Sequence, residues 1–202
     1  MSNATPRIPS QDGEPTWEAA YLLPPQGRWS EEDFLKFQST QMAELVNGRL
    51  EILPMPNLKH QRLLKMLLGL LEAAAPPQSL VLFAPLPTRL FPGTIREPDL
   101  LYISPEKLPP HDAEYPNKID LAMEIVSDGT EARKRDYEDK RLDYAKAGVA
   151  EYWIVDPRDL VVTVLVLTGE QYVEQGRFLS GQTANGKPLP NLKIDVASLM
   201  QA

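Results

Sequence analysis

Two stretches of the chain carry apolar residues at helical spacing, three and four positions apart. The first spans about residues 60–75, and its stripe consists of His60, Leu63, Leu64, Leu67 and Leu71. The second spans about residues 130–147 and is followed by Gly148, a residue typical of helix C-termini. These patterns predict two amphipathic helices, each with one face packed on a sheet.

Two shorter helices are predicted near the ends of the domain. Ser30 precedes Glu31, Glu32 and Asp33, which together have the pattern of an N-cap and an acidic first turn. The segment DVASLM near the C-terminus predicts a short terminal helix.

Apolar runs of strand length alternate with the helices, and turn residues bound them. Asn47-Gly48 between ELV and RLEIL predicts a hairpin. Further strands are predicted at SLVLFAPLPTRLF, EPDLLYI, IDLAMEIV, EYWIVD and LVVTVLVL, and GEQYVEQGRF has the pattern of another hairpin. A helix between IDLAMEIV and EYWIVD has the length of a βαβ crossover, so these two strands are expected to be parallel. The fold class is therefore α/β, in the broad sense that includes α+β.

Length and composition then narrow the class of protein. The chain has 202 residues, which predicts one domain over residues 28–202 after a proline-rich, polar arm over residues 1–27. Trp17 and Tyr21 are candidates for attaching the arm to the domain. Without cysteine and with two histidines, disulfides are excluded and a zinc site is disfavoured. Neither a signal peptide nor a membrane span is predicted, so we expect a cytoplasmic protein.

The net charge of −7 argues against a protein that binds nucleic acid permanently through a broad basic surface. It remains compatible with an enzyme that meets a phosphate backbone through a local basic patch and a bridging metal ion. The charge alone therefore leaves both classes open.

Two carboxylates on neighbouring apolar segments are the main candidates for chemistry. Glu124 lies within a strand of apolar residues, where an ionised carboxylate is costly unless it is paired or bound to a metal. Asp99 follows Pro98 at the start of another apolar run. Two converging carboxylates repel each other without a cation, which favours a site for Mg²⁺ or Mn²⁺ over a salt bridge from Glu124 to an arginine.

Lys140 is placed by helical spacing on the face that should meet the sheet. Its ammonium would then lie near the two carboxylates, and two acids with a lysine are the minimal set for metal-dependent phosphodiester hydrolysis. The alternatives are a lysine whose ammonium extends to water or one that pairs with Asp136, four residues earlier. Glu44 and His60 are weaker candidates, since a surface glutamate and a half-buried histidine would be ordinary at these positions.

Five separated motifs in the same order resemble the Uma-two family of restriction-endonuclease-like proteins, over about residues 30–202. They are ELVNGRLEILPMPNLKHQRLL, REPDLLYI, IDLAMEIVS, DYEDKRLDYAKAGVAEYWIVDP and LPNLKIDVASLM. The resemblance implies the PD-(D/E)xK nuclease fold, a central mixed sheet flanked by helices. The implied activity is that of an endonuclease that acts on nucleic acid, with DNA as the first candidate substrate. The candidate assembly is a homodimer.

Residue roles follow from the same resemblance. Asp99 matches the motif aspartate and Glu124 the second acid, so both are implied metal ligands. The motif lysine is expected two residues after Glu124, where this chain has Val126; the family supplies it from the next helix, at Lys140. Glu44 and His60 match further positions that recur in the family.

Two other functions stay open at this stage. One is a binding or regulatory protein that keeps the nuclease fold without turnover, which the acidic net charge favours. The other is an acid/base hydrolase that uses two carboxylates as glycosidases do, for which the sequence has no aromatic-lined cleft.

Overall fold

The computed structural model describes residues 23–37 and 41–201 of the chain. Most of the predicted arm, with Trp17 and Tyr21, lies outside the described residues. Its described end, residues 23–27, lies against the Asn47-Gly48 hairpin, where the Gly27 N–H donates to the Gly48 carbonyl at 2.8 Å. A domain boundary at residue 28 stays a prediction.

The elements follow one another in the mixed order expected from the sequence. In chain order they are α1 (Glu31–Lys36), β1 (Ala43–Val46), β2 (Arg49–Ile52), α2 (Leu58–Ala74), β3 (Leu80–Phe83), β4 (Thr88–Phe91), β5 (Thr94–Arg96), β6 (Leu100–Ile103), β7 (Leu121–Ile125), α3 (Thr130–Lys134), α4 (Lys140–Lys146), β8 (Glu151–Asp156), β9 (Val161–Thr168), β10 (Gln171–Leu179), β11 (Thr183–Asn185), β12 (Lys193–Asp195) and α5 (Val196–Met200). No helix within these described residues is long and apolar enough to cross a membrane.

A six-stranded mixed sheet forms the centre, in the order β10-β9-β8-β7-β6-β3. Strands β7 and β8 are parallel, as the crossover predicts, and the other pairs are antiparallel. All five residues of β7 are buried, because helices cover both faces of the sheet at this strand. The predicted fold class, a central mixed sheet flanked by helices, is confirmed.

The two faces of the sheet carry separate apolar clusters. On one face, the predicted stripe of α2 and the short helix α5 pack against alternate residues of β7, among them Leu121 and Met123. On the other face, Tyr144 of α4 packs against the intervening positions, including Ala122. Side chains alternate along a strand, so Glu124 belongs to the face covered by α4.

A second, four-stranded antiparallel sheet has the order β2-β1-β5-β4 and contains the predicted hairpin. The segment SLVLFAPLPTRLF divides between the two sheets, with β3 in the large sheet and β4 in the small one. Pro85 and Pro87 lie between them, and a proline lacks the N–H that a continuous ladder needs. The prediction of a hairpin at GEQYVEQGRF is wrong: β10 is a single strand that pairs with β9.

The helix predicted over residues 130–147 contains a π-helical turn, Arg135–Asp139, between α3 and α4. Such turns contain an extra residue and often occur at functional sites. From β8, the Tyr152 hydroxyl donates to the Asp136 carbonyl at 2.7 Å. This bond ties the wide turn to the sheet.

Candidate active site

The candidate site lies where the chain passes from the small sheet to the large one. The link from β5 to β6 is Glu97, Pro98 and Asp99, and Pro98 cannot extend a ladder because it has no N–H. A cavity of about 50 Å³ opens beside this link. Seven of the residues that line it are ionisable: His60, Glu97, Asp99, Glu124, Arg135, Asp136 and Lys140.

Asp99, directly before β6, and Glu124, in the neighbouring strand β7, both face the cavity. Leu100 of β6 pairs with Met123 of β7 in antiparallel register. The residues beside this pair, Asp99 before Leu100 and Glu124 after Met123, therefore lie on one side of the sheet. Asp99 Oδ2 accepts the Ile125 N–H at 2.7 Å and lies 3.2 Å from Nε2 of His60. The two carboxylates and His60 are thus brought to one place.

Lys140, the first residue of α4, extends its ammonium into the same cluster. Its Nζ lies 2.8 Å from Glu124 Oε1, 3.1 Å from Glu44 Oε1 and 3.9 Å from Asp136 Oδ1. Tyr144, one turn later, donates its hydroxyl to Glu124 Oε1 at 2.7 Å. With a side chain only 2 % exposed, Lys140 does not extend to water, so that alternative is wrong.

Glu44 is fully buried, and its interpretation as an ordinary surface glutamate is wrong. Its Oε1 accepts the Glu97 N–H at 3.0 Å in addition to the Lys140 contact, and its Oε2 accepts from Nη1 of Arg96 at 2.7 Å. Both oxygens are therefore engaged. Glu44 holds Lys140 in place from β1 of the small sheet.

Arg96 was missed by the sequence reasoning, although it connects four elements. From the end of β5 its guanidinium contacts Glu44 of β1, Glu51 of β2 at 3.1 Å and Asp143 of α4 at 2.7 Å. An arginine one residue before the acids of REPD was the available signal. Planar guanidinium groups suit such buried, multiple carboxylate contacts.

Two further carboxylates also lacked an assigned role. Asp136 Oδ1 and Glu97 Oε2 are buried without a hydrogen-bond partner in the described part of the chain, and both residues line the cavity. Asp136 lies in the π-helical turn, and Glu97 is two residues from Asp99, hence on the same face of an extended segment. The first was recognised in sequence only as a partner for Lys140.

Burial and mutual repulsion raise the pKa values of three of these acids. Burial raises the pKa of Glu124 to about 8; Lys140 opposes this shift, whereas the charges of Asp99 and Asp136 add to it. Burial likewise raises the pKa of Glu97 to about 7 and that of Asp136 to about 6. Glu124 and part of the Glu97 population therefore stay protonated at neutral pH, because the cavity holds more acidic groups than its cations, Lys140 and Arg135, keep ionised.

Glu44 and Lys140 are shifted toward their charged forms. Burial raises the pKa of Glu44, but Lys140 and Arg96 outweigh burial and lower it to about 2. Burial lowers the pKa of Lys140, but Glu124 and Glu44 outweigh burial and hold it above its ordinary value. Lys140 is therefore a permanent cation.

These shifts predict that the metal-free protein loses stability as the pH rises from about 4.5 to about 8. The pKa of Glu124 is about 4.5 in the unfolded chain and about 8 in the folded protein. Between these pH values the unfolded state loses its proton and the folded state does not, so deprotonation lowers the free energy of the unfolded state alone. Glu97 and Asp136 act in the same direction. Urea denaturation of the wild type and of Glu124→Gln across this range is the measurement, and the variant should show the shallower decline. Equal declines would mean that Glu124 is ionised in the folded state throughout.

The donors in the cavity fit a hard divalent cation with few protein ligands. Asp99 and Glu124 offer carboxylate oxygens, and the hydrogen bonds above engage only Oδ2 of Asp99 and Oε1 of Glu124. No three acidic or histidine side chains among residues 23–37 and 41–201 converge as a ready-made metal cage. Mg²⁺ commonly binds through one or two carboxylates and completes its shell with water or phosphate oxygens, so this donor set is sufficient.

Comparisons with known proteins concern the family and the fold of the chain. The family model Uma2, described as "Putative restriction endonuclease", matches residues 31–197. A solved structure titled as a "putative nuclease belonging to DUF820", from Anabaena variabilis, has a TM-score of 0.71 and 20% sequence identity, covering 85% of this chain and 97% of that chain. At this identity the likeness shows a shared fold. No curated protein matches the chain.

Proposed function

Since the chain belongs to the Uma2 family, we propose that it is an endonuclease that hydrolyses phosphodiester bonds in DNA and depends on Mg²⁺ or Mn²⁺. The observation that carries the proposal is the meeting of Asp99, Glu124 and Lys140 at one cavity between two sheets. Asp99 lies in the link before β6, Glu124 in β7 and Lys140 in α4, and only the folded chain brings them together.

Asp99, in the link before β6, and Glu124, in the neighbouring strand β7, would hold the metal ion. A bound divalent cation would supply positive charge at the phosphoryl oxygens and lower the pKa of a coordinated water. Asp99 is oriented for this by the Ile125 N–H and by His60. His60 is therefore proposed as a positioning residue.

Lys140 would act as a fixed positive charge and as a hydrogen-bond donor to the attacking water or the phosphate. An ammonium has three donors, and Glu124 and Glu44 engage two of them, which leaves one for the cavity. Its raised pKa excludes a role as general base near neutral pH. Glu44 and Arg96 are proposed to position it.

The cavity volume limits what enters it. About 50 Å³ is room for a cation and a few water molecules, and a nucleotide is much larger. The scissile phosphate would therefore approach at the mouth, with its sugars and bases outside. We also propose that the protein forms a homodimer, which would present two such cavity openings. Light scattering measures this oligomeric state.

The metal site is tested by titrating the protein with Mn²⁺ in a calorimeter. Saturable binding is expected for the wild type, and Asp99→Ala and Glu124→Ala should each weaken it by about tenfold or more, since each removes one of few protein ligands. Glu138→Ala, an exposed acid in the same π-helical turn, is the charge-matched control and should bind normally. Unchanged affinity in both site variants would refute the site.

The alternative is a nucleic-acid-binding or regulatory protein without turnover. It is favoured by one observation: Glu124 Oε1 already has two internal partners, Lys140 and Tyr144. Supercoiled plasmid incubated with Mn²⁺ separates the two functions. Nicking by the wild type that is absent in Asp99→Ala supports the endonuclease, whereas binding without nicking supports the alternative.

A further inference from the structure

A second, larger groove of about 430 Å³ adjoins the candidate active site. Pro54, His60 and Ser127 line both the small cavity and this groove, so the two are continuous across His60. The groove begins where α2 starts and runs to the turn after β8. None of the proposed metal ligands lines it.

Two cationic side chains from different elements line the groove. Lys59 lies in the first turn of α2, and Arg158 lies in the turn after β8. Lys59 Nζ donates to the Pro157 carbonyl at 2.9 Å, which holds the ammonium across the groove without neutralising it. Within the described ranges neither cation forms a salt bridge, and one acid, Asp128, lines the groove. The groove thus has a local positive excess in a chain of net charge −7.

Exposed apolar surface at the rim of the groove favours a ligand that is larger and less polar than inorganic phosphate. Met55 lines the groove and is 67% exposed, so it offers a sugar or base a contact that inorganic phosphate would not use. A nucleic-acid strand combines the two chemistries, with phosphates for the cations and apolar faces for the thioether.

On the premise of the proposed function, we propose that this groove binds the sugar-phosphate backbone of the substrate strand beside the scissile bond, with Lys59 and Arg158 contacting its phosphates. The small cavity cannot contain a nucleotide, so the strand must continue outside it, and the groove leads away from its mouth. A local subsite of this kind also accounts for nucleic-acid recognition by an acidic protein, because only the phosphates nearest the reaction need cationic partners.

The test is the salt dependence of nucleic-acid binding, measured by fluorescence anisotropy in metal-free buffer so that no cleavage occurs. Dye-labelled duplex DNA, the same single strand and the matching RNA strand are the three probes. Each lost phosphate contact should lower the slope of log affinity against log salt by about 0.9 for the duplex and about 0.7 for single strands. Lys59→Gln with Arg158→Gln should therefore lower the duplex slope by about 2 and the affinity by about tenfold per contact at about 0.1 M salt.

The matched control is Arg62→Gln with Lys65→Gln. These residues lie on the same helix, are exposed, remove the same two charges and do not line the groove. The control should keep the wild-type slope. Equal slopes in the two double variants, whether both fall or neither falls, would overturn the proposal. Thermal melting of both variants shows whether the Lys59–Pro157 contact matters for folding, and replacing Arg158 alone tests the groove without disturbing that contact.

The binding and nicking experiments together distinguish a wrong groove assignment from a wrong nuclease function. If the wild type nicks plasmid with Mn²⁺ and the groove variants bind and nick equally well, the groove assignment is wrong and the endonuclease stands. If the wild type binds none of the three probes, the groove assignment fails together with its premise. The probe bound most tightly by the wild type, and most weakened in the groove variant, identifies the strand that the groove accepts.

Discussion

Lys140→Ala is expected to abolish metal-dependent nicking, by about a hundredfold or more, and to lower the free energy of unfolding by about 3–5 kcal/mol. The substitution removes the ammonium that lies within 3.1 Å of both Glu124 and Glu44, and it leaves those carboxylates buried without it. Breaking a buried ion pair from one side is costly because the remaining charge stays buried. Plasmid nicking and urea denaturation measure the two effects.

The control is Lys134→Ala, an exposed lysine in the preceding helix, which should change neither quantity. Lys140→Arg should restore stability only in part and activity hardly at all, because a planar guanidinium cannot replace a compact ammonium in a closed cluster. Mn²⁺ affinity in Lys140→Ala should stay near that of the wild type, since the lysine is not a ligand. Full nicking activity in Lys140→Ala would exclude it from the chemistry.

Arg96→Ala is expected to have the second large effect, a loss of about 3–5 kcal/mol in unfolding free energy. The guanidinium is 1% exposed and contacts Glu44, Glu51 and Asp143, so its removal leaves three carboxylates without their shared cation. Glu44 would then hold Lys140 less firmly, and nicking should fall as well. Thermal and urea denaturation give the stability.

Arg89→Ala is the matched control for Arg96. Its guanidinium pairs with Glu31 at 2.7 Å but is 37% exposed, and exposed pairs contribute about 1 kcal/mol or less. Similar losses in the two variants would mean that burial does not set the importance of Arg96. Arg96→Lys should recover little, because one ammonium cannot contact three carboxylates from that position.

The sequence predicted elements wherever one local pattern determined them. The stripe of α2, the Asn47-Gly48 hairpin and the parallel pair of β7 and β8 all follow from spacing over a few residues. The division of SLVLFAPLPTRLF between two sheets does not, because strand partners are chosen by contacts distant in sequence. Strand β5 was missed for the same reason, since three residues carry almost no periodic signal.

Within the site, sequence and resemblance named Asp99, Glu124, Lys140, Glu44 and His60, and the folded chain brings all five together; their catalytic roles stay predictions. The charges that support them were harder to identify. Arg96, fifty-two positions after Glu44, contacts both the Glu44 carboxylate and α4. Nothing near Glu44 in the sequence indicates this contact, so Glu44 looked like a surface residue. The position of Asp136 depends on a π-helical turn, and the hydrophobic periodicity of the sequence does not indicate the extra residue in that turn.

That turn also limits how the length of this helix can change. Each residue of an α-helix turns the chain by about 100°, so deleting Glu138 or Asp139, both exposed, would convert the wide turn to ordinary winding and rotate everything before it relative to Lys140. Asp136 would move away from the cavity, and the Tyr152 hydroxyl would lose the Asp136 carbonyl. Substitution at these two surface positions should be harmless, whereas insertion or deletion of a single residue there should not be tolerated.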